Sequence, residues 1–313
     1  MLSRTAGNLF WMSRYVERAE CLARILDATS RLAALPHAYG STTNEWESAL
    51  TASGSHAHFD ASGGEIDERS VFEFLALSED NPSSIRNCFE RARANARAVR
   101  TALTVEMWDA INGVWYQLRD FDFDGMEGEA LTGFLEFVKA ASIRIDGSGY
   151  RTMLRNDGYW FSRLGVLIER ADATARILDV KYHVLLPREE RVGGPLDYFQ
   201  WNSILRCVSA STSYHWVYRD RVKPWLVADL LILNEQMPRS LAYCYRQITE
   251  GLDDLAQFYR RQGPAQREAR NIRSKLLNRN IDQIFQSGLH EFIEEFLDEN
   301  ERLARAIADQ YLM

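Results

Sequence analysis

Apolar side chains recur at three- and four-residue intervals from Ser3 to Ala34. Trp11, Tyr15, Leu22 and Leu26 share one side of the pattern with Met12, Ala19 and Ala23. Comparable patterns cover 66–78, 82–110, 127–146, 157–186, 196–212, 222–235, 239–262 and 289–312, and each predicts a helix. Strand-type alternation between turn residues is nearly absent. The Ser- and Gly-rich run 51–64 reads as a flexible loop, and smaller breaks fall at Gly147-Ser148-Gly149 and Gly193-Gly194-Pro195. The expected fold class is all-α.

The pattern also repeats, loosely, about half a chain later. "RYVERAECLARILD" (14–27) resembles "LIERADATARILD" (167–179), and Trp46-Glu47-Ser48-Ala49-Leu50 resembles Trp201-Asn202-Ser203-Ile204-Leu205. "VFEFLALSEDNPSSIRNC" (71–88) resembles "VADLLILNEQMPRSLAYC" (227–244), matching Pro82 with Pro238, Ser84 with Ser240 and Cys88 with Cys244. A fainter echo sets Leu131, Phe134, Leu135 and Val138 against Leu289, Phe292, Ile293 and Phe296. Four matches in one order predict an internally duplicated bundle with pseudo-two-fold symmetry, its halves spanning 1–148 and 149–313. Each half alone would leave an apolar face exposed, so a single domain over 1–313 is expected.

Both leading helices carry the spacing Glu-x-x-acid-x-x-x-Arg-x-x-Asp. The residues are Glu17, Glu20, Arg24 and Asp27 in the first half, and Glu169, Asp172, Arg176 and Asp179 in the second. At about 100° per residue, four such positions fall within an arc of roughly 80° and form one stripe. An acid four residues before Arg, as in Glu20–Arg24 and Asp172–Arg176, is the favourable order for an intrahelical pair. Arg18 and Arg170 sit near the border with the apolar side. The residues alone leave three uses open: a solvated face, two stripes lining a shared polar cleft that binds a carboxylate or phosphate, or a buried network that sets helix register. Upstream the halves part company. Arg14 precedes Glu17 by three residues and Arg163 precedes Glu169 by six, which predicts an extra turn or bulge in the second half.

Composition narrows the remaining chemistry. Lys+Arg 37 against Asp+Glu 44 gives a net charge of −7, which argues against a nucleic-acid footprint. No apolar run approaches the roughly 18 residues of a membrane span, and the opening residues carry no secretory pattern. Cys21, Cys88, Cys207 and Cys244 lie in helical apolar patterns without a C-x-x-C pair, as buried thiols of a reducing compartment do; a cytoplasmic location follows. Cys21 borders the stripe, but Ala173 stands at the matching place in the second half. Helix-borne dinuclear sites use Glu-x-x-His, whereas these helices offer Glu-x-x-Glu and Glu-x-x-Asp, so no metal is expected. Phosphate-cradling glycine loops are absent, and no cofactor is expected. Arg86, Arg93, Arg97 and Arg100 recur at helical spacing, most simply as a solvated face, although such a row could also hold an acidic partner or a phosphorylated ligand.

The opening "MLSRTAGNLFWMSRYVERAECLARILD", with "VEMWDAINGVW" (105–115) and "MPRSLAYC" (237–244), resembles the bacterial alpha-E family, an all-helical family named for a Glu-Arg motif. Here that motif is Glu17-Arg18, echoed by Glu169-Arg170. The resemblance implies association with circularly permuted ATP-grasp ligases and transglutaminase-like proteins in peptide or amide-bond modification. In that setting the chain is expected to be an accessory or substrate-presenting partner of the ligase, which would itself supply the nucleotide site. Two alternatives stay open beside it: an enzyme or small-molecule binder built on the paired stripes, and a structural homo-oligomer.

Overall fold

The computed structural model describes residues 1–34, 44–121, 128–183 and 194–312. Among them the chain forms α-helices and no strand: α1 (Ser3–Ala33), α2 (Glu45–Ala52), α3 (His56–Ser62), α4 (Glu68–Ala76), α5 (Ile85–Ala98), α6 (Val105–Arg119) and α7 (Glu129–Thr152), then α8 (Asp157–His183), α9 (Pro195–Cys207), α10 (Ser211–Tyr218), α11 (Pro224–Ile232), α12 (Leu241–Tyr259), α13 (Pro264–Asn278), α14 (Ile281–Ser287) and α15 (Leu289–Ile307). The all-α expectation holds.

Local chemistry explains most boundaries. Asn44, Asp67, Ser84, Thr104, Ser240 and Asn280 each accept a backbone N–H of the turn they open, satisfying donors that a bare helix start leaves orphaned. Ser84 and Ser240, which the repeat aligns, do so at the starts of α5 and α12. Thr104 also explains why the predicted helix 82–110 is two helices. The chain leaves α5 at Ala98, passes a short 3-10 turn at Arg100–Ala102, and restarts where the Thr104 hydroxyl caps Met107. In 51–64 a short helix, α3, stands where a loop was expected. Helix α13 escaped detection because its buried stripe is thin: Ala265, Ala269, Ile272 and Leu276 carry the core contact of a mostly polar segment.

Gly147-Ser148-Gly149 does not break the chain. It lies inside α7, so the expected boundary between 148 and 149 falls within a helix, and the connection to α8 runs through 153–156. A β-carbon on Gly149 would stand 3.2 Å from Cε of Met107, so this glycine lets α6 approach α7. Of the extra turn or bulge predicted ahead of Glu169, α8 shows no bulge, running unbroken from Asp157 to His183. Positions 184–186 of the predicted helix, and Gly193, lie outside the described residues.

Helix α1 packs most extensively against α8 and α5, and α8 against α1 and α12. Around them, α7 lies on α1 and α15 on α8, α6 bridges α5 and α7, and α13 bridges α12 and α15. The second helices touch both: α9 lies mainly against α1 and also on α8, and α2 lies against α1 and α8 alike. One continuous set of buried apolar residues runs from Ala6 to Ile307. At its centre α1 and α8 run side by side in the same direction. Leu9 lies at Gly158, Phe10 at Gly165 and Glu17 at Arg170. Their closest approach is at Gly165, where an added β-carbon would meet the Phe10 carbonyl oxygen at 2.2 Å, and one turn away the hydroxyls of Ser13 and Ser162 bond at 2.7 Å.

Candidate functional site

The charged stripes begin one turn beyond that contact. Because α1 and α8 advance together, each Glu-Arg pair faces the other, and the two motifs cross. Arg170 donates to both oxygens of Glu17, Nε to Oε1 at 2.9 Å and Nη2 to Oε2 at 2.8 Å. Arg18 returns the same fork to Glu169, Nε to Oε1 at 2.5 Å and Nη2 to Oε2 at 3.1 Å. Such bidentate pairs are the strongest ionic contacts side chains make, and they fix relative orientation as well as distance. Glu17 and Glu169 are both buried, 2% and 5% exposed, so neither stripe is a solvated face at this level.

Further guanidiniums close the arrangement. Arg14 donates to Glu169 at 2.7 Å. Arg239, from the turn before α12, spans Glu17 at 3.0 Å and Glu20 at 2.5 Å. Glu20 also accepts twice from Arg24, at 2.8 and 2.7 Å, and its other oxygen accepts the Ser142 hydroxyl of α7 at 2.7 Å. Three carboxylates, Glu17, Glu20 and Glu169, thus face five guanidiniums, those of Arg14, Arg18, Arg24, Arg170 and Arg239.

This surplus of positive charge sets the protonation state. Burial by itself would raise the Glu17 carboxyl, but Arg170 and Arg239 overcome it and hold the group down at about 2. For Glu169 burial again opposes, and Arg14 and Arg18 bring it to about 2. Burial would lower Arg18 and Arg170, yet the facing glutamates drive both above the ordinary arginine value. All four motif groups are charged at neutral pH and spend that charge on one another.

Beyond the quartet the stripes diverge. Arg24 turns its remaining Nη1 to the Cys207 carbonyl at 2.9 Å and the Ser209 hydroxyl at 2.8 Å, at the end of α9. Arg176 pairs with Asp172 at 2.7 Å, and its Nη1 lies 3.4 Å from where a β-carbon on Gly54 would stand, at the end of α2. Both arginines therefore reach a turn with a left-handed residue, Ser209 at φ 55° and Gly54 at φ 67°. Both expected i,i+4 pairs form. Asp27 is taken by Arg31 at 2.9 Å and Lys139 at 3.1 Å, and Asp179 by Nδ1 of His290 at 2.7 Å.

Beside Glu17, Ser13, Ser142 and Ser162 border a cavity of about 20 Å³, space for about one water. Among the described residues no group of three or more His, Cys, Asp or Glu is placed to hold a metal ion. The four thiols are buried and unpaired; burial pushes Cys88, Cys207 and Cys244 up to about 12 and Cys21 well above its ordinary value, so none is an activated nucleophile.

Sequence reading missed Arg14, Arg239 and Ser142. Arg14 had a signal, since it lies three residues before Glu17 on nearly the same face. Arg163, by contrast, serves Asp146 of α7 at 2.6 Å. Arg239 sits within "MPRSLAYC", flagged as a segment but not as a ligand of the stripe. Nothing near Ser142 marked it.

Residues 1–312 match the Alpha-E family, described as a predicted alpha-helical domain with a conserved ER motif. The chain is also 24% identical over 273 residues to an uncharacterized protein of Mycobacterium bovis and to uncharacterized proteins of two Mycobacterium tuberculosis strains. Each match covers 80% of this chain, which spans about 30% of the length of those relatives. No solved structure matches the chain.

Proposed function

This chain belongs to the Alpha-E family, and on that footing we propose that it is a helical partner, rather than a catalyst, for an ATP-grasp amide or peptide ligase, docking with the ligase or presenting its substrate. One observation carries the reading: the family's Glu-Arg pair is consumed inside the chain. Glu17, Arg170, Glu169 and Arg18 satisfy each other bidentately. A general acid or base needs a group poised to exchange a proton near the working pH, and carboxyls held at about 2 are far from that. The motif then acts as a clamp joining two helical layers, and the work of the protein falls to its outer surface.

The size of the relatives supports the same view. In them a segment like this one is less than a third of a longer chain, so the module occurs covalently joined to other protein. A shared ancestry of 1–152 and 157–307 belongs to the same proposal, supported by the common order of helices and neighbours on either side of 153–156.

The test is reconstitution with a circularly permuted ATP-grasp ligase from the same genome. The two chains are expected to co-elute, and ATP turnover by the ligase is expected to change when this protein is added. Unaltered turnover and separate elution would eliminate the reading.

A further inference from the structure

The segment from Arg86 to Arg100 holds five arginines and one acid, Glu90, within a chain whose net charge is −7. Arg86 has a partner, Glu79 at 3.1 Å. Among the described residues the other four find no carboxylate. Arg91, Arg93 and Arg100 lie instead near aromatic or amide groups, and Arg97 is exposed. Arg93 donates through Nε to Asn112 at 2.8 Å, with its guanidinium 5.9 Å from the Trp115 ring and 5.7 Å from the Tyr116 ring. Arg100 lies 5.2 Å from Trp108, and Arg91 lies 5.8 Å from Tyr15. Trp108, Asn112, Trp115 and Tyr116 recur on one side of α6, so α5 and α6 present a continuous arginine–aromatic face. Tyr116 is 54% exposed on it.

On the corresponding pair, α12 and α13, part of the positive charge is answered within the chain. Arg270 pairs with Asp253 at 2.5 Å, and Lys275 with Glu295 at 2.9 Å. We propose that the α5–α6 face, centred on Arg93, Arg97 and Arg100, docks an acidic segment of a partner protein.

Charge complementarity names the occupant. The Arg93 and Arg100 guanidiniums sit near indole rings and that of Arg97 is exposed, and carboxylates match the forked donors of arginine. Arginine with tryptophan and tyrosine is also the composition that carries binding energy at protein interfaces. Arg93 and Arg97 lie about 6 Å apart along α5 and Arg100 follows in the 3-10 turn beyond it, a spread suited to successive acidic side chains. A nucleic acid fits worse. It would meet an acidic protein overall.

The inference rests on the reading that this chain works bound to another protein, and adds where and through what chemistry. Fluorescence anisotropy with a labelled peptide of alternating glutamate and tyrosine tests it, beside labelled oligodeoxythymidylate. The wild-type chain is expected to bind the peptide, more weakly as salt rises. Arg93→Glu with Arg97→Glu is expected to weaken binding at least tenfold, and exposed Arg97→Glu alone, which breaks no intrachain bond, at least threefold. Arg270→Glu, at a cation already paired with Asp253, is expected to leave it unchanged. Equal affinity in wild type and both α5 variants, no peptide binding at low salt, or tighter binding of the oligonucleotide would each overturn the proposal. If the ligase complex forms and survives both substitutions, this face is wrong and the partner reading stands. If the peptide binds as expected while no ligase complex forms, the partner reading is the one that fails.

Discussion

Breaking one arm of the crossed clamp tests whether it joins the two layers. In Glu17→Gln the side chain keeps its shape but loses its charge, and Arg170 and Arg239 are left buried without their shared anion. Removing one member of a buried pair costs about 3–5 kcal/mol, because the surviving charge stays desolvated. Arg170→Met removes the other member and should cost a similar amount. If Glu17 and Arg170 act on each other, the double variant is less destabilised than the two singles added, by about 1–3 kcal/mol. Arg239 still faces Glu17 and Glu20, so the coupling will fall short of the whole single-variant cost. The comparison that isolates the crossing is Glu17 with Arg18. They are adjacent in sequence, but Arg18 gives its fork to Glu169, and those two substitutions should combine more nearly additively. Urea unfolding followed by circular dichroism reads all three differences, with midpoints of the single variants lowered by about 1 M or more. Additivity within about 0.5 kcal/mol for Glu17 and Arg170 would show that the motif does not clamp α1 to α8.

Other expectations follow from the same geometry. Gly165→Ala places a methyl 2.2 Å from the Phe10 carbonyl, and since both groups belong to helix backbone, the layers must separate; a loss of about 3 kcal/mol or more is expected, whereas Gly133→Ala on α7, with nothing within 4 Å, should gain about 0.4–1 kcal/mol. Thermal melts of the two variants moving together would contradict this. Glu17 and Glu169 sit below their ordinary value of 4.5, so their contribution is full above that pH and disappears as the solution is acidified toward 2. Unfolding free energy should therefore fall steeply across that window in wild type and less in Glu17→Gln; identical slopes would remove the assignment. An aromatic disulfide reagent should label few or none of the four thiols in the folded protein and all four in denaturant. Rapid labelling of Cys21 without denaturant would refute its burial.

Much of the fold was legible as pattern. Three- and four-residue apolar spacing placed α1, α4, α7, α8, α9, α11, α12 and α15, and acid-before-arginine spacing announced the pairs Glu20–Arg24 and Asp172–Arg176, because both depend only on the helical repeat. Local readings failed where a distant element decided. Gly147-Ser148-Gly149 looks like a break until Met107 of α6 needs the room at Gly149, and 82–110 looks continuous until the Thr104 cap is counted. The site was half legible. Repetition of Glu17-Arg18 at Glu169-Arg170 marked the residues, but their pairing was hidden. Within one helix, adjacent Glu and Arg point about 100° apart and cannot meet. Only the parallel seating of α1 on α8, set by Gly165 against the Phe10 carbonyl, brings each glutamate to the other helix's arginine and excludes water from both. Arg239, more than two hundred positions from Glu17, joins them for the same reason: spacing along a chain fixes which side of a helix a charge occupies, while packing decides what stands opposite.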